Sequence, residues 1–316
     1  MSTANDPVPP ELVDRFRAAL ERLNPQLERI GLAVSGGPDS MAMLLLAHAA
    51  IPRNFDVATV HHGLRAEAAD ECALVLAACE ARGIPCQVLR VEVGAGNLQA
   101  EARTARYAAL AEWSGGPVAT AHHADDQAET LLMRLNRGSG VAGLAGVRER
   151  VALTDLPLVV LRPLLGFRRA ELRGIVERSG VAFAQDPSNS DERYDRVRIR
   201  KALAQADWID PAALAQSARN LSDAYDALQD YARLLWPQMV EEVAQGYAMT
   251  PGPLREMNRR VLAQVLERLG GKPRGGDVAR LLMRLEAGAG GNVAGVLATA
   301  EGGRWLLRHE PPRRTG

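Results

Sequence analysis

The sequence predicts an α/β protein: a parallel sheet flanked by helices, then a smaller, mainly helical domain ending in a β-hairpin. Three features predict it. Short apolar runs alternate with longer helix-like stretches over the first 200 residues, the arrangement of βαβ units. From about Pro211 the apolar spacing turns helical and strand signals stop. Near the end, two β-like runs surround Glu301-Gly302-Gly303, as in a hairpin. A length of 316 residues, 47% of them apolar, suits two domains and a sizeable core.

Residues 1–25 are expected to hold a polar tail without an apolar signal core, and a leading helix. Strands are expected at 31–35, 56–60, 86–91 and 117–121, with helices at 39–50, 66–82, 98–113 and 124–137. A fifth apolar run, 156–161, extends the sheet, with Pro157 near its start, where proline is tolerated. Asp186-Pro187-Ser188-Asn189 reads as a turn, and 193–203 as a basic helix. Helical spacing covers 211–244, 251–269 and 277–286, and the hairpin uses 292–299 and 304–308. The first domain is expected at 26–208 and the second at 209–316.

Composition narrows the function. The 38 basic and 38 acidic residues cancel, so nucleic-acid contact must come from local patches. Residues 193–201 hold five basic groups and one acid, a balance of +4, and residues 251–316 hold twelve and six, a balance of +6. All basic residues except Lys201 and Lys272 are arginine, a chain-wide bias that marks no single site. Cys72, Cys79 and Cys86 form no C-x-x-C pair, which argues against a disulfide framework or a zinc ribbon. No apolar run reaches the roughly 18 residues of a membrane span, so a cytoplasmic protein without membrane contact is expected. The apolar helical stretch around 225–243 is a candidate homodimer face.

Residues 31–40 read GLAVSGGPDS. An apolar strand runs into Ser35-Gly36-Gly37-Pro38-Asp39-Ser40 and a helix follows at once. Glycines let the backbone turn tightly and approach a ligand, and the N–H groups at the helix start favour an anion. Ser35 and Ser40 add hydroxyl donors, and Asp39 is a candidate magnesium ligand. The string has neither the Lys of a Walker loop nor the G-x-G-x-x-G pattern.

Residues 119–130 read ATAHHADDQAET. Two histidines, two aspartates and a glutamate leave the carboxyl end of a strand, where ligands bind in open α/β sheets. Part of the acidity needs no function, because carboxylates are favourable at a helix start. Adjacent His122 and His123 do not have the usual zinc-ligand spacing.

The Ser35–Ser40 string resembles the PP-loop of the ATP pyrophosphatases, which cleave ATP between its α and β phosphates. With HHGLR (61–65), EARTARY (101–107), TAHHADDQAET (120–130), RGSGVAGL (137–144), RPLL (162–165), DPSN (186–189) and RYDRVRIR (193–200), the chain resembles the tRNA(Ile)-lysidine synthase family in its short form. The resemblance implies a Rossmann-like PP-loop domain binding ATP and Mg2+ through Ser35, Gly36, Gly37, Pro38, Asp39 and Ser40. It implies adenylation of O2 of the wobble cytidine in a CAU-anticodon isoleucine tRNA, then displacement of AMP at C2 by the amine of free L-lysine.

The attacking amine must be neutral, so a nearby carboxylate serves as base or orienter. Asp126 and Glu129 are the candidates, with His122 nearby. Arg103 is expected to stabilise charge on the adenylate, and Arg193, Arg196, Arg198 and Arg200 to meet tRNA phosphates. The family pattern usually has Asp where this chain has His61, and Asn where it has Val197. Two other readings compete: a tRNA thiolase, which needs cysteines to carry sulfur, and a non-catalytic tRNA-binding protein.

Overall fold

The computed structural model describes residues 8–63, 68–92, 94, 98–185 and 195–310. They fall into two compact units, Met1–Ser222 and Asp223–Gly316. The first holds α1 (Pro10–Leu23), β1 (Ile30–Ala33), α2 (Pro38–Ala50), β2 (Phe55–His61), α3 (Ala68–Glu80), β3 (Cys86–Arg90) and α4 (Leu98–Trp113). It continues with β4 (Val118–Ala119), α5 (Ala124–Leu135), α6 (Val141–Leu144), β5 (Arg150–Ala152), β6 (Val159–Leu161), α7 (Arg169–Ser179), α8 (Asp195–Gln205) and the start of α9 (Pro211–Met239).

The six strands lie in the order β3-β2-β1-β4-β6-β5. All neighbours pair in parallel except β5, which runs antiparallel to β6 at the edge. Side chains alternate across the sheet. Leu32, Val57, Ala119 and Leu161 enter one hydrophobic cluster, with α1, α2 and α7. Their neighbours Ala58, Val118 and Val160 enter a second, with Tyr107 and Leu110 of α4. Both faces are thus covered, as a parallel sheet requires.

The helices follow from the same pattern. In α1, Leu12, Val13, Phe16, Leu20 and Leu23 recur at helical spacing and are buried; burying a side chain like Phe16 stabilises the fold by roughly 2–3 kcal/mol. Residues 41–47 of α2 are all buried, so this helix is apolar all round. Pro38 opens it, at a position where a missing N–H costs nothing.

The chain lays down β1, β2 and β3 in one direction, then returns to place β4 on the other side of β1. Open α/β sheets bind ligands at such a switch point, outside the carboxyl ends of the strands. The loops that leave β1 and β4 hold the two polar constellations of the sequence.

The second unit contains the rest of α9, β7 (Val240–Val243), β8 (Gly246–Met249), α10 (Arg255–Arg268), α11 (Gly275–Glu286), β9 (Gly291–Val293), β10 (Val296–Glu301) and β11 (Arg304–His309). Its strands form an antiparallel sheet in the order β7-β8-β11-β10-β9. Val261, Leu262 and Leu266 of α10 and Leu281 and Leu285 of α11 pack with Met249, Val296, Trp305 and Leu307 of the sheet.

One expectation needs correction, and two features go beyond the expected elements. The helix expected over 211–244 stops at Met239, just after Pro237, which removes a helical donor; Val240–Val243 is a strand. The terminal hairpin is present as β10 and β11, turning at Gly302 (φ 56°) and Gly303 (φ 79°), the geometry of a tight hairpin turn. It belongs to a five-stranded sheet rather than standing alone. The edge strand β5 was not foreseen: it is three residues long, with Arg150 and Ala152 exposed, and β6 rather than its own pattern makes it a strand. The turn expected at 186–189 lies outside the described residues.

Candidate active site

The loop after β1 is tied by its own groups. Ser40 Oγ–H donates to the Gly37 carbonyl at 2.9 Å, and the Ser35 N–H donates to Ser40 Oγ at 3.1 Å. The hydroxyl of buried Ser40 is therefore a staple of the loop. Exposed Ser35 keeps its hydroxyl at the surface, 3.2 Å from Ser40 Oγ. The Gly36 carbonyl accepts the Ala184 N–H at 2.9 Å.

Gly36 has φ +85°, and a Cβ there would stand 2.9 Å from the Glu71 carbonyl oxygen. Both the torsion and the space require glycine. Gly36→Ala is expected to lower stability by about 1–3 kcal/mol and to weaken ATP binding. A urea titration with a wild-type midpoint would contradict this.

This loop borders a cavity of about 570 Å³ lined by Ser35, Gly37, Pro38 and Asp39, the ends of β1 and β2, His62, Glu71 and the α4 residues Arg103 and Arg106. The volume is in the range of small-ligand sites. Arg103 and Arg106 lie over the ring of Tyr107, at 4.8 and 5.3 Å, which orients two cations at one wall. Asp39 Oδ1 is buried and has no hydrogen-bond partner.

His123 joins the two constellations. It is 1% exposed and caps α5: its Nδ1 accepts the Asp126 N–H at 3.3 Å, and Asp126 Oδ2 accepts the His123 N–H at 3.1 Å. Its Nε2 lies 3.4 Å from Asp39 Oδ2 and 3.6 Å from Asp126 Oδ2. Burial pulls its pKa down, but the hydrogen bond to Asp39 and the charges of Asp126 and Asp39 outweigh burial and hold it above the ordinary value.

Adjacent His122 is treated oppositely. Its Nδ1 is 3.0 Å from Thr120 Oγ1, and burial, reinforced by Arg162, pushes its pKa down to about 4. It is therefore neutral at pH 7 and a weak base. Between its unfolded value near 6.5 and about 4, the unfolded chain binds the proton that the folded chain refuses. The associated stability is complete above about pH 6.5 and is lost as pH falls towards 4, on the order of 2–3 kcal/mol. His122→Asn is expected to flatten this acid limb in urea titrations at pH 4.5 and 7; an unchanged pH dependence would contradict it.

Asp126 keeps one oxygen freer, with Oδ1 3.9 Å from Arg169 Nη2. Burial would raise its pKa, but His123, His122 and the His123 N–H hold it below the ordinary value. An ionised carboxylate results, better suited to orienting a cation than to removing its proton. Asp125 accepts the Arg169 N–H at 2.8 Å and two bonds from Arg168 at 3.3 Å each. It ties the start of α5 to the start of α7.

Glu129, a candidate base or orienter, is enclosed by arginines. It is 1% exposed and both carboxylate oxygens are taken: Oε1 by Arg169 Nη2 at 3.0 Å and Arg200 Nε at 2.8 Å, and Oε2 by Arg200 Nη2 at 3.3 Å. Arg196 Nε stands 3.5 Å from Oε2. Three guanidiniums thus surround a buried carboxylate, an arrangement that suits positioning. It holds α8 and α7 against α5.

A profile described as a PP-loop domain matches residues 11–207. A tRNA(Ile)-lysidine synthase of Novosphingobium aromaticivorans is 47% identical over 95% of this chain and 94% of its own length. One from Zymomonas mobilis subsp. mobilis is 38% identical over 92% and 91%. The chain belongs to the tRNA(Ile)-lysidine synthase family. Among solved structures, the U34-tRNA thiolase NcsA from Methanococcus maripaludis, with its [4Fe-4S] cluster, aligns with a TM-score of 0.51 at 16% identity. It covers 69% of this chain and 79% of that one, a likeness of fold alone.

Family membership decides against the thiolase reading, and the cysteines agree. Cys72 and Cys79 are buried, and none of the three lines the cavity. A hydrogen bond with Cys86 and burial hold the Cys79 thiol above its ordinary value, so it stays protonated and inert.

The basic helix α8 divides its residues. Arg196 and Arg200 turn towards Glu129, and Arg196 also donates to Thr130 Oγ1 at 3.1 Å. Arg198 is exposed and bonded to Asp195, which Arg137 reaches at 2.9 Å. Val197 is buried, so an apolar side chain pins the helix here. Arg193 lies outside the described residues, as do Leu64 and Arg65 of the HHGLR string. The sequence reading missed the linking residues His123, Arg168 and Arg169. The signal for His123 was its place at a helix start; the two arginines carried none.

Proposed function

We propose that this chain ligates L-lysine to the wobble cytidine of CAU-anticodon isoleucine tRNA. ATP adenylates the cytidine at O2 and releases pyrophosphate. The lysine amine then forms a C–N bond at C2, AMP leaves and a proton is lost. The observation that carries the reading is likeness to tRNA(Ile)-lysidine synthases over nearly their whole length.

The cavity at the switch point supports it. The N–H groups at the start of α2 and the Ser35 hydroxyl would bind phosphates, and Arg103 and Arg106 would stabilise charge at the α-phosphate. Asp39 suits a magnesium ion, because Oδ1 is a buried carboxylate oxygen without a partner and magnesium is held by one or two carboxylates plus phosphates. The ion would screen the phosphate charge.

Asp126 would orient the lysine ammonium, whose proton would pass to water. Neutral His122 would accept or donate a hydrogen bond without adding charge beside the arginines. Glu129 would act through Arg169, Arg196 and Arg200, and Arg198 would meet tRNA phosphates. No helix among the described residues is long and apolar enough to cross a membrane, and a tRNA substrate would be met in the cytoplasm. Exposed Tyr231 and Leu234 would mark a homodimer face, which light scattering of wild type and Leu234→Glu would test.

The test of function is one incubation with ATP, magnesium, labelled lysine and CAU-anticodon isoleucine tRNA, with methionine tRNA as control. Stable label in the isoleucine tRNA alone is expected. Equal labelling of both, or of neither, would refute the reading.

A further inference from the structure

Trp208 is the most exposed of the large hydrophobic side chains described, at 83%. An indole left in water forgoes the burial that Trp normally finds, and such residues concentrate at binding surfaces. Its place in the fold is specific. It sits in the short connection between α8 and α9. Two residues on, Asp210 Oδ1 accepts the Ala212 N–H at 2.8 Å and Arg168 Nη1 at 3.2 Å. The same Arg168 guanidinium bonds Asp125 at 3.3 Å. One guanidinium therefore fixes the connection beside the start of α5, where His123 and Asp126 lie. The preceding helix presents Arg198 with its side chain 62% exposed.

We propose that Trp208 is a stacking platform for an unpaired nucleobase of the anticodon loop, next to the target cytidine. This rests on the proposed RNA substrate and adds a recognition residue to it. Single-stranded RNA is held by flat side chains beside cations: Arg198 would meet a phosphate, and an aromatic face takes a base regardless of its identity. A base stacked on Trp208 would fix the loop while its neighbour enters the site. The Asp210–Arg168–Asp125 tie anchors the connection that carries Trp208.

The test uses the full chain and a stem-loop RNA with the CAU anticodon. Wild type, Trp208→Ala and Trp208→Phe are compared for RNA affinity, with thermal melting as a fold control. Trp208→Ala is expected to bind roughly 5- to 100-fold more weakly, with an unchanged melting temperature, and Trp208→Phe to regain most of the loss. Removing the base at one loop position beside the target cytidine should weaken wild type by a similar factor and leave Trp208→Ala unaffected. RNA binding should also quench tryptophan fluorescence in wild type more than in Trp208→Phe, since Trp113, Trp236 and Trp305 are buried or half-buried.

Affinities within twofold across the variants would overturn the inference. So would base-removal effects that add to Trp208→Ala at every position, or a dimer that Trp208→Ala dissociates without altering RNA affinity. If wild type modifies the CAU RNA while the variants bind it equally, only this inference falls. If wild type neither binds nor modifies it, the functional reading falls as well.

Discussion

Glu129→Gln is expected to unfold the protein at a markedly lower temperature as well as to slow the reaction. The carboxylate is 1% exposed and meets three guanidiniums, Arg169, Arg196 and Arg200. Removing one partner of a buried ion cluster leaves charges uncompensated and costs about 3–5 kcal/mol. Arg196 is nearly half exposed, so water screens part of the loss and about 3 kcal/mol is the better figure. For a unit of this size that lowers Tm by on the order of 10 °C. Activity should fall with it, because α8 and the start of α7 lose their hold on α5. Calorimetry and steady-state rates on the same preparation decide the matter. Full loss of kcat at an unchanged Tm would contradict positioning and return Glu129 to proton transfer.

Asp39→Asn is expected to lower kcat/KM for ATP by roughly 10²- to 10³-fold, the usual scale for removing one charge aimed at a reacting phosphate or oxyanion. Asparagine keeps the shape of the side chain but removes the charge on the buried Oδ1, which has no hydrogen-bond partner. The change also strips His123 of its main favourable partner, so burial should draw that imidazole down and weaken the link between the loops after β1 and β4. Half-saturation by magnesium should move to higher concentration. Turnover near wild type with an unaltered magnesium dependence would remove Asp39 from the phosphate site.

The phosphate loop was legible because its chemistry is local: Gly36, Gly37 and Pro38 sit between an apolar strand and an apolar helix, and the backbone at Gly36 requires glycine. The alternation of β1 to β4 with α2 to α5 was legible for the same reason. What the sequence hid is long-range. Glu129 looks like a free acid on a helix face, because its partners Arg169 and Arg200 are 40 and 71 residues away.

His122 and His123 look alike, yet burial beside Arg162 lowers one pKa and two carboxylates raise the other. Arg196 and Arg200 read as an RNA-facing stretch, but half of the helix's charge is turned inward. Strand β7 follows a helical pattern locally; it pairs with β8, which in turn pairs with β11, more than fifty residues on. Tertiary pairing overrides propensity at such places.

The most direct measurement of the central claim follows the α-phosphate of ATP. Full-length protein is incubated with CAU-anticodon isoleucine tRNA, magnesium and ATP labelled at the α-phosphate, without lysine. The label is expected on the tRNA with release of pyrophosphate, and unlabelled lysine added afterwards should discharge it as AMP. Label that appears on lysine instead of the tRNA, or that never leaves ATP until lysine is present, would contradict adenylation of the cytidine as the first step.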